Sequence, residues 1–139
     1  MSEMFDWSAV ALAEKVRRRA IGAVEVVEAT LARIDAVDPS LNAVCTVARE
    51  QAIAAARALD RRLARGEDGG PLAGVPLGVK DVIDTAGIRT TYGSPRFKDH
   101  APVADALTVA RAKAAGAIVI GKTNTPEFAA GASTFNAVF

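Results

Sequence analysis

Apolar positions recur at helical spacing through the first 65 residues, and short β-like runs replace them afterwards. Val24, Val27, Leu31 and Ile34 fall at three- and four-residue steps, one stripe of a helix that must end before Pro39. Ahead of it, residues 8–19 predict a shorter helix, separated from the first by a break at Gly22. Ser8 is placed to cap it, and Arg17, Arg18 and Arg19 crowd its carbonyl end, where the helix dipole favours cations. Leu41 to Val47 predicts a short strand. From about Glu50 to Arg65, Ile53, Ala56, Leu59 and Leu63 share one side of a third helix whose other side is charged, as suits a helix lying on a surface. Residues 1–65 therefore predict a helical layer that carries little chemistry.

The texture changes at Gly66. The segment GEDGGPLAGVP holds too many chain breakers to be the interior of an element. After it, Leu77 to Ile83, Ile88 to Thr91 and Ala117 to Ile120 read as strands. A helix of about Ala104 to Ala115 separates the last two, with Asp105 near its start and Gly116 just past its end. Strand, crossover helix and strand imply neighbouring parallel strands. Thr125, Pro126 and Glu127 predict a new helix, with Thr125 as cap and the proline in the first turn. The expected fold class is α/β: N-terminal helices followed by the start of a mixed, largely parallel sheet covered by helices. Residues 1–65 and 66–139 are two parts of one domain.

Composition narrows the function classes. Half of the residues are hydrophobic and 24% are charged, an ordinary soluble balance. A net charge of +1 gives no electrostatic reason to expect nucleic acid or an anionic membrane. Cys45 and His100 are the sole residues of their types, which leaves neither a disulfide framework nor a clustered zinc site. A lone cysteine leans toward a reducing compartment. The opening MSEMFDW lacks the basic and apolar regions of a signal peptide, and no apolar run approaches the roughly 20 residues of a membrane span. The expectation is a soluble, cytoplasmic protein with no membrane partner.

Three features are candidates for chemistry. In GVPLGVKD (Gly74–Asp81), a lysine closes a run of small and apolar residues in an expected strand. Burial of Lys80 would disfavour its ammonium, and a neutral lysine can take a proton. The same lysine could instead pair with Asp81 or Asp84, or protect an edge strand. Second, Gly116, Gly121, Lys122 and Thr123 satisfy the pattern of a phosphate-binding loop. The residues between those glycines, Ala117 to Ile120, have the composition of a buried strand, so no loop is expected to cradle phosphate. Third, the polar stretch Gly121–Asn136 follows an expected sheet strand, the end where open α/β sheets place their sites. Capping by Thr125 and a solvated turn is the plainer account of that stretch.

The segments GPLAGVPLGVKD (Gly70–Asp81), GIRTTYGS (Gly87–Ser94) and GAIVIGKTNTPEF (Gly116–Phe128) resemble, in order and spacing, the amidase signature family. VEVVEATLARIDAVDPSLNA (Val24–Ala43) resembles the lead-in of that family, so the resemblance covers nearly the whole chain. It implies hydrolysis of a carboxamide C–N bond by a serine–serine–lysine mechanism. The lysine position of the family matches Lys80, which would act as general base through a bridging serine in a cis peptide. That serine activates a second serine, which attacks the carbonyl to form an acyl-enzyme. Backbone N–H groups of a glycine-rich loop would hold the oxyanion. The acyl group would then pass to water or to an amine.

On the same resemblance no metal or cofactor is needed, and the partner is a small-molecule or acyl amide. Both serines are expected in glycine- and serine-rich segments that follow GASTFNAVF in the family, so neither Ser94 nor Ser133 takes a catalytic role. Asn124 is a candidate to support Lys80 from behind, and Ser133 a candidate to line the pocket. The expectation is a fragment, inactive alone, of a longer amidase fold, with an open sheet edge that favours oligomers or aggregation. The alternative from another class is a non-catalytic binding protein; a nucleotide-binding module has only the phosphate-loop pattern in its favour.

Overall fold

The computed structural model describes residues 2–139. Four helices surround a three-stranded sheet: α1 (Ala9–Arg17), α2 (Ala23–Val37), β1 (Val44–Val47), α3 (Arg49–Ala64), β2 (Pro76–Lys80), α4 (Leu107–Ala114) and β3 (Ile118–Thr123). Short 3-10 turns fill several of the connections.

Local chemistry explains the helix starts. The Ser8 hydroxyl accepts from the Ala11 amide at 3.2 Å, the cap expected for α1. At the start of α2, Gly22 has no side chain to offer. A carboxylate from another helix serves instead: Asp60 on α3 accepts from the Ala23 and Val24 amides at 2.7 and 3.1 Å. A negative charge at a helix N-terminus also meets the positive end of the dipole. These two bonds add a polar link to the apolar packing of α2 on α3.

The sheet order is β1-β3-β2, with β1 antiparallel and β2 parallel to the central β3. Apolar residues fill both of its faces. On one side Val16, Val26, Val27, Leu31, Ala56 and Leu59 of the first three helices pack with Ile118 and Ile120. On the other, Val79 and Val119 meet Ile88 and Val109. Burial on both faces accounts for the continuous apolar run of β3. The α/β class agrees with the sequence reading, and α4 does cross over between parallel strands, but the strand paired with β3 is β2 and not the expected Ile88–Thr91.

Two expected elements are different. Ile88 to Thr91 is not a strand. Ile88, Thr90 and Thr91 are buried, but the polar groups of the segment bond across a loop: Thr90 N to His100 O, and Thr91 N to the Asp81 carboxylate. The parallel partner of β3 is therefore β2. Residues 125–129 do not form an α-helix capped by Thr125, because the Thr125 hydroxyl bonds to Pro126 O and only a 3-10 turn, Glu127–Ala129, follows. Phe128 and Ala129 both lie at positive φ, 50° and 59°, which stops propagation at one turn.

Glycine is required where backbones touch. Gly116 ends α4 at φ 97°, and a Cβ there would lie 2.1 Å from Gly69 O. At Gly121 a Cβ would lie 2.3 Å from Thr46 O on the neighbouring β1. The second contact lets β3 run close beside β1.

Candidate active site at the carboxyl end of the sheet

The carboxyl ends of the parallel strands β2 and β3 lie side by side, with Val79 paired to Lys122 and Lys80 to Thr123. Paired residues of neighbouring strands face the same way and successive residues alternate. Lys122 thus points with Val79 toward the second apolar cluster, and Lys80 points to the opposite face. An irregularity in the pairing between Leu77 and Gly78, opposite Val119 and Gly121, sets this phase.

The outcome reverses the expected roles in burial. Lys80 is exposed, whereas Lys122 is fully buried. The desolvation anticipated for Lys80 is found at Lys122, where burial pulls the ammonium below its ordinary value of 10.5 and the Asp81 and Asp84 carboxylates oppose that shift. Lys122 Nζ donates to Ile83 O at 2.7 Å and to Thr90 Oγ1 at 2.6 Å, and lies 3.9 Å from Asp81 Oδ1. Both side chains of this ion pair are wholly enclosed. The ammonium is committed to fixed protein acceptors, which unsuits it to act as a base or to hold a phosphate. As expected from composition, no phosphate-binding loop forms, since Gly121, Lys122 and Thr123 are strand.

Asp81 is the hub of the cluster. Its Oδ2 accepts from Thr91 N at 3.0 Å and from Thr91 Oγ1 at 2.5 Å. Its own amide donates to Thr123 O, and its carbonyl accepts from Tyr92 N. Neither Asp81 nor Asp84 pairs with Lys80: Asp84 accepts from Tyr92 Oη at 2.5 Å. That bond, more than partial burial, pushes the Tyr92 hydroxyl up to about 12. Tyr92 itself sits at φ 54°, meets Phe97 edge to face and stacks with His100 and Phe128.

The remaining candidates are placed apart from Lys80. Asn124 donates to Asn42 O at 3.1 Å, and its Oδ1 accepts from Thr125 N and from Asn136 Nδ2. Asn136 in turn accepts from the Val138 and Phe139 amides. Asn124 therefore ties the last residues to the end of β3, and among the described residues no hydrogen bond joins it to Lys80. Ser133 is exposed, while Ser94 is buried. Among the described residues no group of three or more His, Cys, Asp or Glu side chains is arranged to hold a metal, and no helix is long and apolar enough to cross a membrane.

The Lys122–Asp81–Thr91 cluster escapes a motif-based reading. Its signal was present: a lysine inside an otherwise buried strand, AIVIGKT, must either break the strand or find acceptors behind it.

Residues 25–139 match the family described as Amidase. The chain belongs to the amidase signature family. It is 49% identical over 137 residues to a glutamyl-tRNA(Gln) amidotransferase subunit of Carboxydothermus hydrogenoformans, an alignment covering 99% of this chain and 28% of that one. Among solved structures, a bacterial aryl acylamidase of the amidase signature family superposes with a TM-score of 0.82 at 36% identity, over 88% of this chain and 26% of that one. Fatty acid amide hydrolase shares the fold at 22% identity, with a TM-score of 0.91 over 98% of this chain and 24% of that one. The chain spans just over a quarter of the length of the curated relatives it matches.

Proposed function

We propose that the protein carrying this chain hydrolyses a carboxamide C–N bond, with Lys80 as the general base. The observation that carries the reading is the position of Lys80. It is the last residue of β2, at the carboxyl edge of a parallel pair, and it is exposed. A base that must reach a nucleophile supplied by another segment needs that freedom, whereas Lys122 lacks it. Two of the relatives, by name an aryl acylamidase and an amidotransferase, share the breaking of such a bond.

In this scheme Lys80 draws a proton from the nucleophilic serine through a bridging serine. Attack on the carbonyl carbon expels the amine, which receives that proton, and leaves an acyl-enzyme. Water or an amine then releases the acyl group. Among the described residues no hydrogen bond joins Lys80 to a serine, so residues 1–139 by themselves are expected to be inactive. Asn124 and Ser133 are proposed to shape the surroundings of the pocket, Asn124 by holding residues 136–139 in place.

The test is Lys80→Ala in the protein that carries this chain, assayed by ammonia release from glutamine and by nitroaniline release from nitroacetanilide. Loss of turnover on whichever probe is cleaved, with an unchanged circular dichroism spectrum, supports the reading. Near-normal turnover would sink Lys80 as the base. Absence of cleavage of either probe, or of other amides, favours the non-catalytic alternative.

A further inference from the structure

We infer that Lys122 is a positioning residue for Lys80: it fastens β3 to the loop that follows β2, and so fixes the end of the strand from which Lys80 projects. The inference rests on the reading of Lys80 as the base, and its evidence is separate. Four observations converge. Lys122 is the largest fully buried side chain among the described residues, and nothing in the proposed chemistry uses it. Its two hydrogen-bond acceptors, Ile83 O and Thr90 Oγ1, both belong to the segment after β2, so one ammonium holds two points of that segment against the central strand. Ile83 N donates in turn to Lys80 O at 2.9 Å, a direct link from the clamped turn to the backbone of the proposed base. Asp81, next in sequence, is gripped by Thr91 on one carboxylate oxygen and faces Lys122 with the other.

The arrangement is a costly choice for stability alone. A buried ion pair seldom outperforms well-packed apolar residues of the same volume. The other oxygen, Asp81 Oδ1, has no hydrogen-bond partner among the described groups, so the pair is not even fully satisfied. What an apolar core cannot supply is directional fixing of a turn. A displacement of about 1 Å at a reacting group can lower a rate on the order of 100-fold. Lys122 contacts neither substrate nor Lys80 in this scheme; its effect is transmitted through Ile83 and Asp81.

The experiment compares Lys122→Met, Thr90→Val and Lys80→Ala in the protein that carries this chain, well below each variant's melting temperature. Two quantities are read: kcat and KM for the cleaved probe, and hydrogen-exchange protection of the Asp81, Ile83 and Tyr92 amides. Lys122→Met is expected to lower kcat roughly 10- to 100-fold at nearly unchanged KM, and to expose those three amides. Thr90→Val removes one acceptor while leaving the ion pair in place, and should show the same changes more weakly. It decides the question if Lys122→Met does not fold. Lys80→Ala should abolish turnover with the three amides still protected. A lower melting temperature with kcat and local protection intact in Thr90→Val and Lys122→Met would overturn the inference, leaving Lys122 as core. If Lys80→Ala keeps its turnover, the reading of the base fails, and intact amide protection in the other two variants would still refute the clamp.

Discussion

Lys80 and Lys122 occupy adjacent parallel strands one position out of step, so one lysine faces outward and the other is sealed in the core. Their substitution should therefore affect stability very differently. Lys80→Ala removes an exposed side chain and should change unfolding free energy by no more than about 0.5 kcal/mol. Lys122→Met leaves Asp81 buried and uncompensated, and should cost about 3–5 kcal/mol. Adding Asp81→Asn to Lys122→Met should recover part of that loss. Urea unfolding of the four proteins measures all of this, and equal costs for the two lysines would contradict the assigned packing.

Asp60 is the cap that α2 lacks in its own sequence. Asp60→Ala should destabilise the protein by about 1–2 kcal/mol, since two first-turn amides lose their acceptor. Asp60→Asn retains an acceptor but not the charge, and should cost less. Denaturant midpoints for the pair separate the hydrogen bond from the dipole effect.

Alkaline pH should loosen the fold through two acids. Burial pushes the Cys45 thiol from 9.0 up to about 12, and the Tyr92 hydroxyl rises from 10.0 to about 12. The folded state holds both protons longer than the unfolded state, so their contribution is full below pH 9 and declines toward pH 12. Lys122 acts with opposite sign, because its lowered pKa makes the unfolded state hold the extra proton as pH rises toward 10.5. Tyr92→Phe should flatten the decline above pH 10, and Cys45→Ser the part that begins at pH 9. Stability measured at intervals from pH 8 upward tests both. In the same protein, Cys45 should react with a disulfide reagent at pH 8 more slowly than free cysteine, because less of it is thiolate.

β2 is an edge strand with five residues, and its outer side carries no ladder partner among the described residues. The other edge, β1, has four residues and an irregular register between Val44 and Thr46, which makes it a poorer template. Residues 1–139 expressed by themselves should therefore self-associate. Sedimentation velocity should show dimers or larger species; a single monomeric boundary with a cooperative melt would count against this.

Much of the fold is legible in the chain because its signals are local. The Val24–Ile34 stripe, the Ser8 cap, the Gly116 stop and the apolar run before Gly121 each act within a few residues, so α1 to α4 and β3 follow from spacing alone. The motif around Lys80 likewise marks the end of a strand. Tertiary structure alone decided which lysine is buried, because that depends on the register of β2 on β3. It also turned Ile88–Thr91 from an expected strand into a loop, since Asp81 and His100 claim its amides from ten residues away. Periodicity reports which residues prefer to be inside; only the paired strands determine which polar groups must follow them there, and what must meet them.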